Sequence, residues 1–80
     1  MKELVEYVVK SLVDNPDEVT VYAEASSNDV LLELSVAADD MGRVIGKKGR
    51  VINAIRTLTK VSAAKQGKTV SVELLEADER

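Results

Sequence analysis

The apolar residues of this chain follow a helical spacing, then an alternating one, then a helical spacing again, and few folds admit that order. Leu4, Val5, Val8, Val9, Leu12 and Val13 recur three and four residues apart, so Lys2 to Asp14 reads as an amphipathic helix. Asn15-Pro16 ends it, because proline lacks the donor a continuing helix needs and disfavours the helical conformation of the residue before it. From Glu18 the period is two: Val19, Val21 and Ala23 alternate with Thr20, Tyr22 and Glu24, as in a half-buried strand. Ser26-Ser27-Asn28-Asp29 carries turn chemistry, and beyond it Val30, Leu32, Leu34 and Val36 share one face while Leu31 falls on the other. The two runs predict an antiparallel hairpin. Thr69 to Glu76 alternates again, with Val70, Val72 and Leu74 on one face, and forms a third strand.

Between the second and third strands lies Arg43-Val44-Ile45-Gly46-Lys47-Lys48-Gly49-Arg50, a loop of two glycines around two lysines, anchored by Val44-Ile45 before it and Val51-Ile52 after it. The glycines let the backbone turn sharply and let another molecule approach it, and the lysines supply the charge an anion would meet there. Met41 to Ile45 reads as a short helical segment, with Asp39 or Asp40 placed to cap its start. After Gly49 comes a longer helix, with Val51, Ile52, Ala54, Ile55 and Leu58 inward and Arg50, Asn53, Arg56, Thr57 and Lys60 outward; Gly67 stops it. Because two helices separate the second strand from the third, the crossover predicts that these strands are parallel neighbours. The expected fold is α+β, ordered α-β-β-α-α-β, with helices covering one face of a three-stranded mixed sheet. One domain spans residues 1 to 80, its core running from about 2 to 76 and a polar tail from 77 to 80.

Charge is segregated along the chain. The formal net charge is −3, yet Met41 to Val72 holds eight basic residues and no acidic one, while all fourteen carboxylates lie outside that window. Such a split suits one face that meets a polyanion and a remainder that repels it. The chain has neither Cys nor His, which removes thiolate and imidazole metal ligands and the nucleophile and base pairs built on them. Asp39 and Asp40 are paired, but a capping role explains them without catalysis. No enzyme activity, metal or cofactor is expected. No apolar run approaches the roughly 20 residues of a membrane span, and acidic residues stand where a signal peptide would have its apolar core, so a cytoplasmic protein is expected. Tyr7 and Tyr22 are the only aromatic residues and read as packing rather than stacking groups.

The run Val44-Ile45-Gly46-Lys47-Lys48-Gly49 resembles the signature of KH domains of the type II arrangement. Gly42 to Arg50, followed by Ala54-Ile55-Arg56-Thr57, is similar more narrowly to the small bacterial single-KH-domain proteins of the KhpA family, and the resemblance covers residues 1 to 76. It implies a non-catalytic protein that clamps about four unpaired RNA nucleotides through their backbone. Gly46, Lys47, Lys48 and Gly49 would contact phosphates; Arg43, Ile45, Arg50 and Asn53 would line the adjoining groove. It further implies a post-transcriptional regulator or RNA chaperone linked to cell elongation and division, forming a homodimer or pairing with a second KH protein, KhpB.

Three other readings bear on the sequence. A P-loop enzyme is excluded, since the spacing from Gly42 to Gly46-Lys47 is one residue short and Lys48 stands where a Ser or Thr should hold magnesium. An all-helical helix-hairpin-helix module conflicts with the alternating strands. A protein–protein adaptor with a vestigial Gly-x-x-Gly loop is compatible with the low aromatic content and the net acidity.

Overall fold

A computed structural model describes residues 1–77. Its order is α1 (Lys2–Leu12), β1 (Thr20–Ser26), β2 (Asp29–Val36), α2 (Met41–Ile45), α3 (Arg50–Lys65) and β3 (Thr69–Glu76), with short 3-10 turns at Pro16–Glu18, Ala38–Asp40 and Lys47–Gly49. The sheet order is β1-β2-β3; β1 pairs antiparallel with β2, and β2 pairs parallel with β3. The expected α+β architecture with a mixed sheet is therefore the one found. The tail expected at 77–80 lies, past Ala77, outside the described residues. Among the described residues no helix is long and apolar enough to cross a membrane.

The central strand shows why the alternation was legible. Val30, Leu32, Leu34 and Val36 are all buried, with Leu32 and Leu34 at 0% exposure, and the helices pack on that face. Burying a leucine side chain stabilises the fold by roughly 1.5–3 kcal/mol, so these two tie the sheet to the helical layer. In β1, Val21 opposite Leu34 is buried, whereas Ala23, expected inward, is exposed toward the free end of the hairpin. Leu31 lies on the sheet's other face, half-buried in a recess with Glu24, Ala25 and Ser71.

The helices bury narrower stripes than their apolar content implied. Of α1 only Val5 and Val9 are fully buried, while Leu4 and Leu12 are exposed, because a single helix face touches the sheet. In α3 the buried residues are Ile52, Ile55, Thr59 and Ala63; Ala54 and Leu58 are exposed. Thr59 takes an inward place by turning its hydroxyl back to the Ile55 and Arg56 carbonyls, which satisfies the polar group within its own helix. Tyr7 and Tyr22 are exposed, contrary to a packing role. Gly67 does stop α3: the Gly67 amide bonds to the Ala64 carbonyl and the Lys68 amide to the Ala63 carbonyl, the paired bonds of a Schellman cap.

Asp39 and Asp40 do not cap α2; neither side chain makes a hydrogen bond there. The Asp40 carboxylate, wholly buried, instead accepts hydrogen bonds from the backbone amides of Asp14 and Asn15 and from the Asn15 side-chain amide, each at 3.0 Å. It ties the end of α1, which stops at Leu12 rather than Asp14, to the start of α2. Burial pushes its pKa up, but the three amide donors and the Arg43 guanidinium outweigh burial and hold it below the ordinary carboxylate value of 3.8. A pKa lowered by folding means stability that is present above the unfolded value and is lost as pH falls through the folded one. Thermal melts from neutral pH down to below pH 3.8 should show Asp40→Asn less stable at neutral pH and less sensitive to acid than the wild type. Parallel acid profiles for the two proteins would show that Asp40 does not couple to folding.

Candidate functional site

The loop between α2 and α3 is held in a shape that only glycine allows at its entrance. Gly46 has φ +77°, and a Cβ there would stand 2.4 Å from Val51 Cγ2 and 2.8 Å from the Val51 amide nitrogen. The Gly46 amide closes α2 by donating to the Gly42 carbonyl at 2.9 Å, and the Gly49 amide donates to the Gly46 carbonyl at 3.1 Å. Lys48 is also left-handed, at φ +58°, a conformation that is uncommon for a side chain of this kind and that turns the loop outward. Lys47 and Lys48 are exposed at its tip, and Gly46 and Gly49 are half-buried at its base.

Electrostatics make the loop an anion-facing surface. The N-terminus of α3 has no side-chain cap and no acidic residue in its first turn, so the positive end of the helix dipole and the lysines act in the same direction. Arg50 is exposed at that terminus, and Ile45, 37% exposed, presents an apolar side chain beside the loop. Arg43 is placed differently. Its guanidinium meets Asp14 at 3.0 Å and Asp40 at 3.9 Å, so its charge is already balanced by carboxylates of the chain itself.

From the loop a groove runs between α3 and β3. Asn53, one turn into α3, stands with its side-chain amide 3.7 Å from where a Gly49 Cβ would be, and its side-chain oxygen accepts a hydrogen bond from Arg56 Nη1 at 3.5 Å. Arg56 was expected to point outward. It is half-buried instead and donates from Nε to the Val72 carbonyl at 3.3 Å, crossing to the edge strand. Asn53, Arg56 and Lys60 are three and seven residues apart, a spacing that announces a shared helix face but not what lies opposite it. Arg56, Lys60, Ser71 and Val72 line a recess of about 170 Å³, and Lys60, Ala64, Lys68 and Thr69 line another of about 300 Å³ farther along. Of the predicted residues, Asn53 is tied by a hydrogen bond to Arg56, which in turn reaches β3, whereas Arg43 is tied to Asp14 and Asp40.

A family model described as the KH domain of KhpA/KhpB matches residues 2–74. The chain is 52% identical over 75 residues to the RNA-binding protein KhpA of Clostridium acetobutylicum, covering 94% of this chain and all of that protein. It is 51% identical to RNA-binding protein KhpA of Caldanaerobacter subterraneus over the same shares, and 46% identical to that of Chlamydia trachomatis over 95% of this chain and 97% of the relative. No solved structure matches the chain.

Gly46 and Gly67 both have positive φ, but only Gly46 faces a close neighbour; nothing lies within 4 Å of a Cβ at Gly67. Gly46→Ala should cost about 2–4 kcal/mol, from left-handed strain and the contact with Val51, whereas Gly67→Ala should cost about 1 kcal/mol. Equal losses in chemical denaturation would show that the loop adapts to a side chain.

Proposed function

The chain belongs to the KhpA/KhpB KH-domain family, and on that premise we propose that it binds single-stranded RNA, clamping a short segment at the Gly46-Lys47-Lys48-Gly49 loop. It acts as a binder and not as an enzyme. The observation that carries the reading is the lysine-bearing loop seated at the uncapped N-terminus of α3, with the groove of Asn53 and Arg56 beside it. Phosphates meet Lys47, Lys48, Arg50 and the backbone at the two glycines; bases lie along the groove, with Ile45 offering an apolar contact. Arg43 serves chiefly to hold α2 to Asp14 and Asp40. The low aromatic content leaves little stacking, so affinity rests on charge. We place the protein in the cytoplasm, as one domain over residues 1 to 80, in post-transcriptional regulation or RNA chaperoning tied to cell elongation and division.

We further propose pairing with a second copy or with a KhpB-like KH protein. Leu58 and Val61 of α3 are 52% and 53% exposed, and Leu4 and Leu58 share a small apolar recess between α1 and α3. Covering these exposed apolar side chains with a second chain is more favourable than leaving them to water. Sedimentation should give a mass above 8.7 kDa for the wild type, reduced by Leu58→Glu together with Val61→Glu. A wild-type monomer that also ignores a KhpB-like partner would remove the pairing.

Three free cations on a single strand give a slope of log affinity against log salt of about −2.1, or about a 20-fold loss for a fourfold rise in salt. Replacing Lys47 and Lys48 by Gln should flatten the slope by about 1.4, and replacing both by Asp should weaken binding further while thermal melting stays near that of the wild type. Undiminished binding by the folded double-Asp variant would favour the adaptor reading.

A further inference from the structure

Among the basic residues of the groove, Arg56 alone has its guanidinium fixed by uncharged protein acceptors. Nε donates to the Val72 carbonyl at 3.3 Å, and Nη1 donates to Asn53 Oδ1 at the outer limit of a hydrogen bond. Among the described residues no carboxylate lies within ion-pair distance of it, unlike Arg43. A guanidinium has five N–H groups in a rigid plane, so two engagements leave three, including both on Nη2. The side chain is half-buried at the wall of the recess between α3 and β3, about two turns along the helix from the Gly46–Gly49 loop. That recess, at about 170 Å³, is smaller than the roughly 300 Å³ of an ordinary small-molecule site and opens into the groove.

Position and chemistry differ from those of the loop lysines. Lys47 and Lys48 are exposed point charges on a turn, suited to phosphate and indifferent to sequence. Arg56 stands about two turns into α3 from them, with its guanidinium oriented by Val72 and Asn53. A fixed pair of parallel N–H donors fits a base edge that offers two adjacent acceptors. Guanine offers O6 and N7, and cytosine offers O2 and N3; neither adenine nor uracil offers two adjacent acceptors. Resting on the RNA-binding reading above, we infer that Arg56 is a base-reading residue that makes the groove prefer guanine or cytosine over adenine or uracil at the position it meets. Asn53 and the Val72 carbonyl are its positioning partners.

The test uses the full-length protein and a short single-stranded RNA of uracils in which one central nucleotide is varied through all four bases, measured by fluorescence anisotropy at two salt concentrations. The wild type should bind the guanine or cytosine variant about tenfold more tightly than the adenine and uracil ones. Arg56→Lys keeps the charge but not the fork. It should erase that preference while leaving the salt slope within error of the wild type. Circular dichroism and thermal melting report whether the variant is folded, and the wild-type base series is decisive without it. Wild-type binding that is equal for all four bases, or a folded Arg56→Lys with an intact preference, would overturn the inference while leaving RNA binding in place. A wild type that binds none of the RNAs would overturn the RNA reading and this inference with it.

Discussion

Parallel pairing of β2 with β3 is the constraint on which the rest of the molecule depends. Two parallel neighbours cannot be joined by a tight turn; the chain must leave the end of one strand and return to the start of the other. Here that return is made by α2, the glycine loop and α3, which lie across the buried face of the sheet. The crossover therefore supplies the lid of the core and the exposed basic loop together. Val44, Ile52 and Ile55 anchor it from the inside, and the loop between them stays at the surface because both flanking helices are held.

A loop at the apex of a crossover is only as well defined as its two ends. The Asp40 carboxylate fastens the first end by gathering three N–H donors from Asp14 and Asn15, just beyond α1, and Arg43 adds charge on the same side. The second end is the contact between Gly46 and Val51, which leaves no room for a side chain. Charged groups buried with several hydrogen bonds of fixed direction define geometry more sharply than apolar contacts do. Asp40, which with Asp39 reads in the sequence as a local cap, works instead over a separation of 25 and 26 residues.

Segregation of charge follows from the same architecture. The basic window coincides with α2, the loop, α3 and the start of β3, so the crossover carries these cations, and Arg56, Lys60 and Lys68 border the recesses between α3 and β3. Among the described residues, the acidic ones occupy α1, the segment from Asp14 to Glu18, the hairpin, Asp39-Asp40 before α2, and Glu73 and Glu76 of β3. Net acidity and a locally basic surface coexist because the field near a surface is set by its nearest charges, while more distant ones are screened over about 10 Å.

The sequence by itself determined the element order, the alternation of β2, the stop at Gly67 and the glycine–lysine loop, because each is written in local spacing or in one residue's conformational needs. Family membership was legible for the same reason: Val44 to Gly49 is a contiguous run. What only the tertiary structure decided were contacts between residues remote in the chain. Periodicity offered Leu4, Ala54 and Leu58 for burial, but the sheet is wide enough to cover only part of each helix, and these remain exposed. Arg43 and Arg56 look alike in the sequence, each a cation near the loop. One is balanced by Asp14 and Asp40, the other is set against a carbonyl of the edge strand, and the path of the backbone assigns those different partners.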